Sequence, residues 1–411
     1  RAKDMILAPG INIKRDPLCG RNFEYMSEDP VAIEELAVPL VKGIQENDVS
    51  ACVKHFAVNN RENERTSIDT LVDERTLREI YLKGFEAVVK DGGCLSVMAG
   101  YNKFRGVYCC ENKNLLNQIL RDEWGFDGII ISDWGGVHST VGTAESELDL
   151  EMSVTSDFDN YYFANPLIEA VRNGEVTEEL IDKKVANILR VMFKTKMIGD
   201  KRDERKAGTF NSPEHRLAAL SVAEESIVLL KNEKNILPLN KKEVKSIAVI
   251  GANADMRHSF GGGSAEIKAL YEIAPLIGLK MYLGGNTKVT YNKGYYVATK
   301  ALNATENWQA TSLETGSDEM SEYPYLKRQK PGQYAKENET LFKEALEAAK
   351  DADKVIFFGG LDHNYDIEGA DRPDMKLPYD QDIIIEKLLD VRPDTIIVLN
   401  GGSPVEMPWL D

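Results

Sequence analysis

The chain has 411 residues, 43% hydrophobic and 28% charged, a globular balance that predicts about two to three domains and excludes a disordered or collagen-like state. Its 67 acidic residues outnumber 50 basic ones, and the formal charge of -17 repels phosphate backbones and anionic lipid, so neither nucleic acid nor a membrane surface is expected as a partner. No apolar run approaches the ~20 residues that span a bilayer, and the N-terminal RAKDMILAP lacks the order of a signal peptide, which favours a soluble, cytoplasmic protein.

In chain order, the first half alternates short apolar runs with amphipathic stretches, the signature of a parallel sheet covered by helices. The expected strands are MILAPGINI (Met5 to Ile13), ACVKHF (Ala51 to Phe56), LSVMAGY (Leu95 to Tyr101) and GIIISD (Gly128 to Asp133). Between them lie the helical stretches DPVAIEELAVPLVKGIQEN, RTLREIYLKGFEAVVKDGG and NKNLLNQILRDEWG. Periodicity alone leaves open whether the sheet is doubly wound or closed into a barrel. A helical region follows from Asn160 to Ile198, and the polar GDKRDERKAGTFNSPEH breaks the pattern, so residues 1–198 are assigned to a first domain and 199–215 to a linker.

Residues 216–411 form the second domain, again alternating: helix LAALSVAEESIVLLKN, strand SIAVIGANAD, turn GGGS, helix ETLFKEALEAAKDA, strand KVIFFGG, helix QDIIIEKLLD, strand TIIVLNGG. The Asn-, Thr-, Ser- and Tyr-rich stretch near 291–333 is expected to be an exposed insertion. Both ends break off next to a strand, and four strong strand signals are half of what a closed barrel needs, so part of the fold is expected to be missing. A second copy or a complementary chain segment is expected to complete it.

The chemistry concentrates where the first-domain strands end. The first run leads into Arg15 and Arg21, the second ends in Lys54 and His55, the third in Tyr101, the fourth in Asp133 and Trp134. An aspartate at one such junction is often an N-cap, but four strand ends have no structural reason to be polar together, and the carboxyl edge of a parallel sheet is where sites are built. Cations, a phenol, an indole and a carboxylate suit a neutral polyhydroxylated ligand. A carboxylate nucleophile among them would stabilise an oxocarbenium-like transition state, and glycoside cleavage then needs a second carboxyl as acid/base. GLDHNYDIEGADRPDMKLP supplies Asp362, Asp366, Glu368 and Asp371 as candidates; Glu368 precedes a glycine in a segment with little helix or strand character.

Other signals are weaker. The odd number of cysteines (Cys19, Cys52, Cys94, Cys109, Cys110) and the five histidines (His55, His138, His215, His258, His363) show no metal spacing, and IAVIGANAD with GGGS lacks the G-x-G-x-x-G of a dinucleotide turn. No metal and no cofactor are expected. Sequons stand at Asn303 and Asn338.

GINIKRDPLCGRNFEYMSEDP, KHFAVNNRENERTSID, SVMAGYN, ISDWGG and EGADR, in that order, resemble the β-glucosidase branch of glycoside hydrolase family 3 from about Leu7 to Pro408. The resemblance implies a (β/α)8-type, TIM-like barrel, incomplete at its N-terminus, followed by an α/β sandwich, incomplete at its C-terminus. It implies release of terminal β-D-glucose with retention, from small β-glucosides or cello-oligosaccharides. By that likeness Asp133 is the nucleophile and Glu368 the acid/base, while Arg21, Lys54, His55, Arg65 and Tyr101 hold the sugar and Trp134 lines the site. Retention asks for two carboxyls about 5–5.5 Å apart, one ionised and one protonated. The stretch AVNNRENERTSID lacks the histidine that an N-acetylglucosamine-specific branch uses as its acid, which favours Glu368. A β-xylosidase, another family 3 exo-glycosidase or a non-catalytic sugar-binding fragment are the alternatives.

Overall fold

The computed structural model describes residues 4–153, 157–259, 261–267, 269–298 and 326–410. They fall into two compact units. Among the described residues, one comprises the chain up to Asp16 together with Glu24–Phe210, and the other Pro17–Phe23 with 211–298 and 326–410.

In the first unit the strands are, in chain order, β1 (Met5–Ile6), β2 (Ser50–Phe56), β3 (Asp69–Thr70), β4 (Ser96–Ala99), β5 (Lys103–Phe104), β6 (Val107–Tyr108) and β7 (Ile129–Ser132). A parallel sheet runs in the order β1-β2-β4-β7, and β3, β5 and β6 form a small separate sheet. Every residue of β2, β4 and β7 is buried, as expected of parallel strands covered on both faces. Helix Pro30–Gln45 starts at Asp29, whose carboxylate accepts from the Val31 N–H at 2.8 Å, with Pro30 in the first turn. Its Ile33, Ala37 and Val41 recur every four residues and pack with Phe85 and Val88 of helix Lys83–Lys90 in one core. The stretch after Lys113 forms wide π-type turns over Asn114–Glu123, burying Leu115, Leu116, Ile119 and Leu120.

Beyond β7 the chain returns beside it through an Ile131–Leu150 bridge. Asp149 is buried there, accepting from Ile130 N–H (2.7 Å), Arg121 (2.6 Å) and Asn187 (2.9 Å). Lys184, on helix Glu178–Lys194, donates to Leu148 O at 2.6 Å, and burial pulls its pKa down to about 8. All five cysteines are buried, and desolvation pushes the thiols of Cys94 and Cys109 up to about 12.

The second unit has a parallel sheet of β8 (Ser246–Ile250), β9 (Lys288–Asn292), β10 (Lys354–Gly360) and β11 (Ile396–Asn400), in the order β11-β10-β8-β9. Alternate residues face two cores. Ala248, Ile250, Val355 and Phe357 pack with Ile384, Ile385 and Leu388 of helix Gln381–Val391, while Ile247, Val249 and Ile356 pack with Leu276 of helix Pro275–Leu283. Helix Pro213–Ser226 is exposed throughout, and Leu217, Val222, Ile227, Val228 and Leu230 are more than half exposed.

Several boundaries differ from the expectations. MILAPGINI pairs as a ladder only over Met5–Ile6, because the chain then leaves the strand and returns at one Gly10–Lys54 bridge. The expected linker 199–215 divides at Phe210: Arg205 reaches Asp4 at 2.6 Å and the Lys206 N–H reaches Asp48, which ties 199–210 to the first unit, and Ser212 caps a helix that starts at Pro213. Residues 17–23, placed in the first domain by position, group with the second unit through Arg372 N–H to Leu18 O (2.7 Å). Of the expected insertion, 299–325 and Asn303 lie outside the described residues. Tyr291 and Asn292 instead close β9, and Tyr295 is fully buried against Asn253 and Phe357. Asn338, the other sequon, is buried on helix Ala335–Asp351, accepting from Tyr296 N–H (2.7 Å) and donating to Tyr379 O (3.1 Å).

Candidate active site

Three strands of the first sheet end in register. The Gly100 N–H donates to Phe56 O and the Asp133 N–H donates to Ala99 O (2.9 Å each), so the carboxyl ends of β2, β4 and β7 deliver Lys54 and His55, then Tyr101, then Asp133 to one edge. Asp133 is 3% exposed. Its Oδ1 accepts from the Trp134 N–H at 2.8 Å, and its Oδ2 lies 3.5 Å from His55 Nε2.

His55 is held on every side. Its N–H donates to Asn12 Oδ1 (2.7 Å), its carbonyl accepts from Asn12 Nδ2 (2.9 Å), and Nδ1 stands 3.2 Å from the Tyr25 hydroxyl. A tautomer whose Nδ1 accepts from Tyr25 turns Nε2–H toward Asp133. Lys54 Nζ lies 3.7 Å from Glu24. Arg65 comes from the loop after β2, donates to Glu62 at 2.8 Å, and places its guanidinium 4.7 Å from the centre of the Tyr101 ring, in cation–π range. Trp134 is partly buried against the cluster of Cys52, Met98 and Ile131. The first unit thus brings together Lys54, His55, Arg65, Tyr101, Asp133 and Trp134 around its strand ends, whereas Arg15 is exposed and its N–H turns back to Ile13 O.

In the second unit Glu368 is 4% exposed, on a loop after β10. Its N–H donates to Gly262 O (3.1 Å), its Oε2 accepts from the Ser264 N–H (2.7 Å), and its Oε1 lies 3.5 Å from Arg21 NH1. Arg21, itself 1% exposed, therefore sits beside this carboxyl. The other acidic candidates have structural partners. Asp362 accepts from Tyr379 and Asn364, Asp366 from Gly402 N–H and Ser403, and Asp371 from Gly20 N–H.

Sequence reasoning passed over Asn12, Tyr25, Glu24, Glu62 and Ser264. Asn12 and Tyr25 lie inside the quoted GINIKRDPLCGRNFEY string, where a polar residue between two isoleucines was the available signal. Ser264 was visible only as the end of a glycine run.

The chain matches known families over nearly its whole length. Residues 2–191 match the glycosyl hydrolase family 3 N-terminal domain, and residues 227–411 match the glycosyl hydrolase family 3 C-terminal domain. A beta-glucosidase of Bacteroides ovatus is 39% identical over 100% of this chain and 53% of its own length, and the thermostable beta-glucosidase B of Acetivibrio thermocellus is 37% identical over 99% and 48%. An exo-alpha-(1->6)-L-arabinopyranosidase of Bifidobacterium longum is 34% identical over 98% of this chain and 48% of its own. Among solved structures, a beta-glucosidase of Streptomyces venezuelae in complex with D-glucose aligns with a TM-score of 0.83 at 30% identity, covering 99% of this chain and 61% of that one. The chain spans about half the length of the curated relatives it matches.

Proposed function

The chain belongs to glycosyl hydrolase family 3, and from that premise we propose that it is the catalytic part of a retaining β-glucosidase. In this reading the first unit is the part of a (β/α)8 barrel that carries Asp133, and the second is an α/β sandwich that carries Glu368. Asp133 attacks the anomeric carbon while Glu368 gives its proton to the departing glycosidic oxygen. Glu368, now a carboxylate, takes a proton from water, whose oxygen attacks the same carbon and releases Asp133. Arg21, Lys54, His55, Arg65 and Tyr101 bind the sugar hydroxyls, and Trp134 lines its apolar side.

The observation that carries the proposal is the buried Asp133 at a strand end, between the Trp134 N–H and His55 Nε2, in a chain matched by both family domains. Asp133→Ala in the full chain is expected to lower kcat on aryl β-glucosides by about 10⁴-fold or more, as loss of a covalent nucleophile does. Retained turnover would remove Asp133 from its role.

The arabinopyranosidase relative favours a second reading, an exo-glycosidase acting on a pentopyranose. The kcat/KM ratio for aryl β-glucoside against aryl β-xyloside and α-L-arabinopyranoside decides between them, and a ratio below one overturns glucose. The exposed apolar residues of 213–230 support a further expectation, that a second copy or a complementary segment covers them.

A further inference from the structure

Five residues before Glu368, each ring nitrogen of His363 lies 2.8 Å from a main-chain carbonyl oxygen, Nδ1 from that of Asp366 and Nε2 from that of His258. A carbonyl oxygen only accepts, so both contacts are hydrogen bonds only when both nitrogens donate, and among imidazole states only the imidazolium carries two N–H groups. A neutral ring makes one of these bonds and turns a lone pair toward the other oxygen.

The two oxygens belong to different loops. Asp366 lies on the loop of Glu368 itself, whereas His258 starts the loop that continues through Gly261 to Ser264. That second loop grips Glu368 twice, through Gly262 O and the Ser264 N–H. Its glycines have a steric reason as well. A Cβ on Gly261 would come within 2.9 Å of the His363 Cβ, and Gly261 to Gly263 all have positive φ, so the GGGS run lets the loop lie against both His363 and Glu368.

We propose that doubly protonated His363 is a positioning residue that clamps the Gly261–Ser264 loop to the Glu368 loop and thereby fixes the acid/base carboxyl. The inference rests on the assignment of Glu368 above. Charged and titratable groups face the ring from both loops. Asp362 and Asp366 lie on its own loop, with Asp366 held by Gly402 and Ser403; His258 and Glu272 come from the facing side, with Arg257 beside Glu272, and the Phe23 ring stands edge-on to the half-buried His363 ring at 5.6 Å. Burial first, and then the neighbouring His363 ring, hold His258 below its usual range.

The test combines ring-nitrogen spectroscopy with kinetics on the full chain. In protein labelled with 15N-histidine and titrated from pH 5 to 9, His363, assigned by its loss in His363→Gln, should show two protonated ring nitrogens at pH 5 and one at pH 9. His363→Gln keeps one donor at every pH. Its kcat on aryl β-glucoside should fall about tenfold at pH 5, the scale of one charge-assisted hydrogen bond, with KM within about twofold, and the deficit should shrink toward pH 9. A singly protonated ring at pH 5, or a deficit that does not change with pH, overturns the clamp, and the native spectrum decides alone if the variant does not fold. Glu368→Gln separates the two readings. Turnover that survives it removes the acid/base assignment and the catalytic role of the clamp together; turnover abolished while His363 is singly protonated removes the clamp only.

Discussion

At Gly263 the backbone sits at φ +93°, and a Cβ built there would come within 2.4 Å of the Glu368 Cβ. Alanine at this position must adopt a conformation that L-residues avoid and push the carboxyl away from the Ser264 N–H, at a cost of about 1–3 kcal/mol. Gly263→Ala should therefore lower kcat on aryl β-glucosides about tenfold or more while the fold persists, as read by kinetics beside circular dichroism. This constraint was invisible in the sequence, where GGGS could be judged only against a nucleotide turn. Asp133 stood out as a candidate because a carboxylate ends a strand there, and Glu368 as one of four acidic candidates in its segment, singled out by the family resemblance. Asn12 and Tyr25 were not legible, since they act by holding the main chain and ring of His55 across 43 and 30 residues of sequence.

At the scale of elements, local rules explain what could be read. Helix Pro30–Gln45 combines an Asp N-cap, a proline in the first turn and buried residues at four-residue steps, and each is visible in the sequence. Asp29→Ala should destabilise the first unit by about 1 kcal/mol, measured as a shift in the urea midpoint, by freeing the Val31 N–H. The continuous apolar strands β2, β4, β7, β8, β10 and β11 were legible for the same reason. β9 was not: KVTYN is polar at alternate positions, and its last two residues fall in the stretch from 291 expected to be an insertion, where parallel pairing with β8 makes a strand. The grouping of 17–23 with the second unit depends on contacts more than 300 residues distant in sequence, such as Gly20 N–H to Asp371, which no local pattern encodes.

Over the whole molecule, a charge of -17 coexists with a few buried cations whose environments set how stability varies with pH. Lys184 has its pKa lowered to about 8 from the usual 10.5, with desolvation the largest cause and the attraction of Asp149 opposing it. Between these two values the unfolded chain binds more protons than the folded one, so this lysine makes stability rise with pH across about 8 to 10.5 and contributes a constant penalty below. Relative to Lys184→Met, the native chain should gain on the order of 3 kcal/mol between pH 7 and 10.5 in urea unfolding. A flat difference between the two proteins would mean that the ammonium is hydrated in the fold. No described helix is long and apolar enough to cross a membrane.

The interior position of Asn338 bears on how this polypeptide would behave in a host that attaches glycans. Its amide nitrogen already donates to Tyr379 O, and its side chain has no exposed surface, so the finished fold offers a transferase nothing to grasp. A sugar found there could only have been added before the helix docked, and it would block docking afterwards. Occupancy at that asparagine would thus tag molecules that missed their native state, and secretory production would be better served by replacing Thr340 than by trusting the sequon to stay silent.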